Sequence, residues 1–167
     1  MFQIGDQVVY GAHGVCCVVD TEERIVDRKR LSYLALEPVR QDGSRYLVPT
    51  HNASAMGKLR KILAPEELES LISSEQVRED GWIRDENVRK QTYRELIGSG
   101  DRASLMKMVH TLYRHRAAQT AAGKKIHQCD DNFLRDAEKL LASEAAIVMN
   151  MEYDQARAFL REKLESE

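Results

Sequence analysis

The only tryptophan of the chain, Trp82, stands in a strongly polar stretch, EDGWIRDENVRK, at residues 79–90. An aromatic side chain of this size normally packs among apolar neighbours. Three interpretations are therefore open: a core residue under helices, an anchor in a protein interface, or an apolar wedge for a nucleic-acid groove. A minor-groove wedge needs basic side chains nearby to hold the phosphates. The basic residues that follow are Arg84, Arg89, Lys90 and Arg94.

The net charge of −2 conceals an uneven distribution along the chain. Residues 84–125 carry ten Lys and Arg against four Asp and Glu. The flanking segments are acidic, with one against six in residues 63–83 and five against ten in residues 126–167. A basic block between acidic blocks is a candidate surface for an anionic partner. The alternative is a set of ordinary solvated helix faces.

The cysteines and histidines offer little for catalysis or metal binding. Cys16 and Cys17 are adjacent, so on a strand they point to opposite faces, and we interpret them as structural. The five histidines and Cys129 lack the two close ligand pairs of a zinc site. No phosphate-binding glycine loop or nucleophile motif is present. We therefore expect no metal, no cofactor and no enzymatic activity; a cluster of His127, Cys129 and an acidic residue would favour the enzyme alternative.

Composition indicates a globular protein, with 43% hydrophobic and 31% charged residues. The odd number of cysteines is no disulfide framework and suits a reducing compartment. The start, MFQIGDQVVY, has neither the basic nor the apolar region of a secretory signal. No apolar run approaches the roughly 20 residues of a membrane span. We expect the protein to be cytoplasmic.

Residues 1–62 have the pattern of a small antiparallel β module. Short segments rich in Val, Tyr, Leu and Ile alternate with turn signals such as Asp42-Gly43, and no helical pattern lies between them. Alternation along DTEERIV places Arg24 on one face of a strand and Ile25 on the other. An accessible edge of such a module suits protein docking. The alternative is a solvated hairpin.

From Pro65 onward the apolar spacing becomes helical. A helix is predicted over 84–98, with Val88, Thr92 and Leu96 on one row and Tyr93 and Ile97 on the next. The later predictions are a helix capped by Asp101 with an apolar stripe, a helix capped by Asp130 or Asp131, and a short last helix. The stripe of the Asp101 helix consists of Leu105, Met108, Val109, Leu112 and Tyr113.

The order of these elements is distinctive. GDQVVYGAHGV opens the chain, SRYLVPTHNA closes the β module, a lone tryptophan precedes a basic helix, and SGD opens the next helix. This arrangement resembles the CarD/CdnL family of bacterial transcription regulators over nearly the whole chain. The N-terminal part is also similar to the RNA polymerase-interacting domain of transcription-repair coupling factors.

The resemblance implies an α+β protein of two domains. Residues 1–62 would form a small Tudor-like or SH3-like antiparallel β barrel that docks on the lobe of the RNA polymerase β subunit. Residues 63–167 would form an all-α domain of about five helices that contacts promoter DNA at the upstream edge of the bubble, largely independently of sequence. There the family's tryptophan wedges into the minor groove and helps to keep the open complex from closing.

Site residues follow from the resemblance by position. Trp82 matches the wedge and Arg89 the basic position in the next helix, with Arg84, Lys90 and Arg94 as further phosphate contacts. The expected polymerase-binding residues are Arg24, Ile25, Arg45 and Leu47.

The chain departs from the family pattern in two places. Leu47 occupies the position of a second polymerase-contacting arginine in some members, and the spacing from Trp82 to SGD is longer than in some relatives. The alternative function is a protein–protein adaptor on RNA polymerase or another partner, without direct DNA contact and with Trp82 as its anchor. We expect a monomer, with a strand-swapped dimer as the alternative.

Overall fold

The computed structural model describes residues 1–40 and 42–166, which divide into two compact units. The first unit, Met1–Ile62, is an antiparallel sheet, and the second, Leu63–Glu167, is helical. The predicted α+β class, with strands first and helices after them, is confirmed.

The sheet of the first unit has five strands in the order β4-β3-β2-β1-β5, and each neighbouring pair is antiparallel. The strands are β1 (Gln7–Tyr10), β2 (Val15–Val26), β3 (Lys29–Pro38), β4 (Tyr46–Pro49) and β5 (Leu59–Lys61). A 3₁₀ turn (Gly11–His13) follows β1, and the short helix α1 (Ala53–Met56) precedes β5.

The predicted small antiparallel β module is present, but its sheet does not close into a complete barrel among the described residues. Its outer strands, β4 and β5, are four and three residues long, and within the described part of the chain they do not pair with each other. β4 covers only four of the ten residues of β3. A small core lies on one face of the sheet and contains Val8, Cys16, Val18, Leu34, Leu36, Val48 and Leu59.

The hairpin of β2 and β3 extends beyond the rest of the sheet. Asp27 and Arg28 form its turn with φ of 50° and 64°, the positive values that a tight two-residue hairpin turn needs. β1 pairs only with Val15–Cys17 of β2, and β4 pairs only with Tyr33–Leu36 of β3. Residues 23–32 therefore form a two-stranded ribbon. Along β2, residues 20–26 have no backbone strand partner other than β3 among the described residues.

The second unit contains α2 (Pro65–Ile72), α3 (Glu75–Arg78), α4 (Glu86–Ser99), α5 (Arg102–Ala121), α6 (Gln128–Val148) and α7 (Tyr153–Glu165). Five of these have eight or more residues. Asp85 caps α4 through the Val88 amide at 2.9 Å, and Asp101 caps α5 as predicted. Gly100, at φ 67°, ends α4 in the left-handed conformation that favours glycine.

The core of this unit is built around α5. All five residues of its predicted stripe are buried, and they pack with Leu134, Ala137 and Leu141 of α6. The predicted start of α6 was wrong by one turn. His127 is the residue before the helix, and Asp130 lies inside it, fully buried, because its carboxylate has a partner on α4.

No helix in the described ranges combines the length and the apolar character needed to cross a bilayer.

Candidate interaction sites

Trp82 lies in the loop between α3 and α4 and is partly exposed. One face of its indole stacks on the imidazole of His115 in α5, with the ring centres 3.6 Å apart and the planes 14° apart. The backbone N–H of Trp82 donates to Asp80 Oδ1 at 3.1 Å. Trp82 also packs against the helical core. It is therefore neither fully buried nor a free side chain.

Arg89 has a different environment from the one expected of a phosphate contact. It is only 2% exposed, and its Nε and Nη2 donate to Asp130 Oδ1 and Oδ2 at 2.8 and 2.9 Å. Its Nη1 donates to the Ile83 carbonyl at 3.0 Å. With its charge neutralised and its donors occupied, Arg89 does not present a cation to solvent. That Arg89 binds phosphate stays a prediction, and the guanidinium would have to leave Asp130 to do so.

The guanidinium of Arg89 supports Trp82 instead. Its central carbon lies 4.5 Å from the centre of the indole. His115 lies directly over one face of the Trp82 indole. The guanidinium of Arg89 therefore reaches the indole from its opposite face or past its edge. Burial alone would lower the pKa of Arg89, but the hydrogen bonds and charge of Asp130 outweigh it, and the pKa is raised.

The loop before Trp82 is docked along one row of α5. Lys107 Nζ contacts Glu79 Oε2 at 3.2 Å, and Trp82 stacks on His115 two turns further on. Between them lies Gly81, where a Cβ would stand 3.0 Å from Thr111 Oγ1. Lys107, Thr111 and His115 are spaced by four residues and so share a helix face. The close approach of the loop to α5 thus depends on glycine at position 81.

Three charged or titratable groups surround the imidazole of His115: Arg89, Asp130 and His127. Burial is the largest influence and lowers the pKa of His115. Asp130 acts in the opposite direction, while Arg89 and His127 lower the pKa further. The net pKa lies below the usual histidine value, so His115 is neutral at pH 7 and stacks on Trp82 as an uncharged ring.

The basic block of residues 84–125 divides into paired and unpaired side chains. Lys90 is tied to Glu86 at 2.9 Å and is 28% exposed, and four others also have carboxylate partners. The rest are exposed and have no ion pair with any residue that the structure describes. These are Arg84, Arg94, Arg114, Lys124 and Lys125.

The last three of these side chains were not among the predicted site residues. Arg114 precedes His115 on α5, and Lys124 and Lys125 lie in the connection to α6, shortly before His127. The charge of His127 acts on both His115 and Glu86, so this connection lies close to the start of α4. The excess charge of residues 84–125 indicated such a surface, but only the fold shows which members of the block are unpaired.

A second candidate site is the outer face of the sheet, opposite its core. Leu47 is directly opposite Ala35 on β3, and Ala35 is opposite Asp20 on β2. Four pairs further along, Arg24 is opposite Leu31. Directly opposed residues share a face, and so do residues two apart on a strand. Arg24 and Leu47 therefore lie on one face.

Arg45 joins this face through its ion pairs. It contacts Glu22 at 2.8 Å, Glu37 at 3.4 Å and Asp20 at 3.7 Å. Arg24 contacts the same Glu22 at 3.2 Å. The hydrogen bond from Arg45, followed by that from Arg24, lowers the pKa of Glu22. The two arginine side chains are 42% and 56% exposed, so they are oriented by carboxylates yet open to a partner.

Ile25 is placed differently from the other three predicted polymerase-binding residues. It is 76% exposed and lies on the opposite face of the ribbon, paired with Arg30. The structure thus brings Arg24, Arg45 and Leu47 together and separates Ile25 from them.

The described residues contain no group of three or more His, Cys, Asp or Glu side chains arranged to hold a metal ion.

One comparison with known proteins bears on the first unit. Residues 2–63 match the family model described as the CarD-like/TRCF RID domain. The matched range coincides with the sheet unit, including the ribbon and the outer face that carries Arg24, Arg45 and Leu47. The match marks the chain as an RNA polymerase-interacting, transcription-related protein.

Proposed function

We propose, from the premise that this chain is a CarD-like protein with an RNA polymerase-interacting N-terminal domain, that it is a non-enzymatic regulator of promoter opening. It would bind the β subunit lobe of RNA polymerase and hold the upstream edge of the bubble open with Trp82. It would act in the cytoplasm, on the nucleoid, through the polymerase. The observation that supports the DNA contact most strongly is a partly exposed tryptophan, held in an aromatic stack, close in sequence to the exposed arginines Arg84 and Arg94.

The outer face and the ribbon are suited to docking on a protein. The ribbon offers the free backbone edge of residues 20–26, to which a strand of the partner could add. Arg24 and Arg45 supply charge beside that edge, and partly exposed Leu47 supplies an apolar contact where some relatives have an arginine. Ile25 lies on the opposite face of the ribbon from Arg24. It would contact the partner only where the partner reaches both faces of the ribbon.

The helical unit provides a small DNA contact. Arg84, in the loop that carries Trp82, and Arg94, on α4, are free to bind phosphates, and Lys90 would have to leave Glu86 to do so. Phosphate contacts carry no base identity, so the binding would be largely independent of sequence. With His115 on one face, Trp82 offers DNA its rim and at most one face.

A contact of this size is effective only when it is tethered. Binding to polymerase raises the local concentration of the wedge near the bubble, so weak DNA affinity suffices. The equilibrium between closed and open promoter then shifts by the difference in affinity for the two states. Stacking of a base on an aromatic side chain is worth roughly 1–3 kcal/mol, which corresponds to a rise in the open-to-closed ratio of about 5- to 150-fold.

The first experiment compares Trp82→Ala with the native protein on a promoter that forms unstable open complexes. We expect polymerase affinity and the melting temperature of the protein to be unchanged, and the lifetime of the open complex to fall. An unchanged lifetime would reject the wedge. Unfolding of the helical unit by Trp82→Ala would show instead that the residue is a core anchor.

The second experiment separates DNA contact from an adaptor role. Arg84→Gln combined with Arg94→Gln should shorten the open-complex lifetime and make it less salt-dependent. The matched control is Arg135→Gln with Arg157→Gln, which removes the same charge from α6 and α7. A lifetime unaffected by the first pair would favour the adaptor without DNA contact.

The docking surface is tested by reversing one charge on each face of the ribbon. Arg24→Glu should weaken binding to a β-lobe fragment, whereas Arg30→Glu makes the same charge change on the opposite face. Equal affinities for the two variants would show that the face carrying Arg24 is not the contact.

A further inference from the structure

The loop that carries Trp82 is held more firmly than a connector requires. Residues 79–85 have no regular secondary structure, yet they contact side chains of both α4 and α5. A mobile side chain loses conformational freedom when it binds, and this loss reduces affinity. A side chain that is already held in its bound orientation avoids this cost.

The contacts on the α5 side determine where the indole lies. The ion pair of Glu79 with Lys107 anchors the start of the loop, and Gly81 allows the backbone to approach Thr111. These two contacts bring Trp82 over His115, whose imidazole sets the plane of the indole to within 14° of its own. The imidazole of His115 touches the ring itself.

The contacts on the other side come from a buried clamp between α4 and α6. Asp130 is fully buried and binds Arg89 through both of its oxygens. This pairing directs the third donor of Arg89 to the carbonyl of Ile83, the residue after Trp82. Asp130 does not touch the indole; it acts through Arg89.

We propose that His115 and Asp130 are positioning residues for Trp82, which preset the orientation of its indole before any partner arrives. His115 acts by direct stacking, and Asp130 acts by holding Arg89 against the ring and against Ile83. The benefit of this arrangement for promoter opening rests on the proposed function. The preset orientation itself is a property of the free protein and can be measured without DNA or polymerase.

The first test uses intrinsic fluorescence, because Trp82 is the only tryptophan of the chain. A protonated imidazole in contact with an indole quenches its emission. The emission of the full-length protein should therefore fall as the pH is lowered through a midpoint below the usual histidine range. His115→Gln should abolish this transition.

The matched control for the fluorescence test is His127→Gln. His127 faces His115 together with Arg89 and Asp130, and its positive charge lowers the pKa of His115. His127→Gln should therefore keep the transition and move its midpoint upward. Loss of the transition in His127→Gln, or its persistence in His115→Gln, would overturn the assignment of His115.

Asp130 is tested by the access of acrylamide to the indole. In Asp130→Asn, Arg89 loses its charged partner, and quenching of Trp82 by acrylamide should increase while the far-ultraviolet circular dichroism still shows a folded protein. Where that variant is unfolded, Arg89→Met combined with Asp130→Leu removes the same clamp without leaving a buried charge. Unchanged quenching in a folded variant would overturn the role of the clamp.

The functional test compares the open-complex lifetimes obtained with His115→Ala and with His115→Phe. The phenylalanine variant keeps an aromatic ring in the stack. We expect unchanged polymerase affinity for both variants, a shorter open-complex lifetime for His115→Ala, and recovery with His115→Phe. If Trp82→Ala shortens the lifetime and His115→Ala does not, positioning by His115 is refuted. If Trp82→Ala has no effect either, the proposed function fails, and the fluorescence result alone decides whether the ring is preset.

Discussion

Removal of Asp130 should have a larger effect on stability than removal of any exposed charge near Trp82. Asp130 and Arg89 are 0% and 2% exposed, and their ion pair has two hydrogen bonds of 2.8 and 2.9 Å. Asp130→Ala leaves the guanidinium of Arg89 buried without a partner. Two charges that stabilise each other in a dry environment are expected to be strongly coupled.

The magnitude follows from this burial. Breaking a buried pair from one side costs about 3–5 kcal/mol of unfolding free energy, because the remaining charge is uncompensated. Replacing both partners by apolar residues of similar volume is often close to neutral. We therefore expect Arg89→Met combined with Asp130→Leu to be more stable than either single variant, Arg89→Met or Asp130→Leu, which gives a coupling energy of several kcal/mol in a double-mutant cycle.

The assay is urea denaturation followed by far-ultraviolet circular dichroism, since the fluorescence of Trp82 itself changes with the mutations. The control is Glu86→Ala. Glu86 lies on α4, the helix that carries Arg89, and is the exposed carboxylate partner of Lys90, so its removal should have little effect on the free energy of unfolding. A loss below about 1 kcal/mol for Asp130→Ala, or additive effects in the cycle, would refute the account of the buried clamp.

Three further predictions concern single positions. Gly81→Ala should cost about 1–3 kcal/mol of unfolding free energy by overpacking against Thr111 and should shift the emission of Trp82. Gly100→Ala should cost about 1 kcal/mol in the same urea assay, because φ is 67° at the end of α4, whereas Gly98→Ala should be tolerated since no atom lies near its Cβ direction. Burial raises the pKa of the Cys16 thiol from 9.0 to about 11, so the native state keeps its proton longer than the unfolded chain does. The contribution of Cys16 to stability should be complete below pH 9 and be lost as the pH rises toward 11, and the difference between wild type and Cys16→Val in unfolding experiments at several pH values measures it.

Local patterns predicted the helical unit well where one helix carried its own signals. Asp101 has the short acidic side chain that caps a helix, and the stripe from Leu105 to Tyr113 has the spacing of a buried face. The change from strand to helix spacing near Pro65 also predicted the order of the two kinds of structure. In each of these cases the information lies within a few residues of the feature.

The helix α4 shows where such patterns fail. Val88 was expected on an apolar row but is 53% exposed, whereas its charged neighbour Arg89 is 2% exposed. From hydrophobicity alone, Val88 would be the buried residue and Arg89 the exposed one. Arg89 is buried because its partner Asp130, 41 residues away in sequence, neutralises it, and no local pattern contains that pairing.

The stack of Trp82 on His115 could not be predicted for the same reason. Its two rings belong to different elements, and they meet only because Gly81 lets the loop lie against α5. The closure of the predicted barrel is a related point. The strand pattern of residues 1–62 indicates β1 to β4 but not the three-residue β5, and whether the outer two strands meet depends on lengths and register that the pattern does not specify.

The free edge of the ribbon also affects the behaviour of the protein at high concentration. An unpaired strand edge with the exposed apolar side chains of Ile25 and Val26 is a template on which a second copy could pair. The charges of Glu23, Arg24 and Arg30 on the same short ribbon oppose such growth. Replacing them with apolar residues would turn a docking edge into an aggregation site. If this edge binds RNA polymerase, it is no longer available to a second copy of the chain. Binding to polymerase would therefore also protect the protein from aggregation.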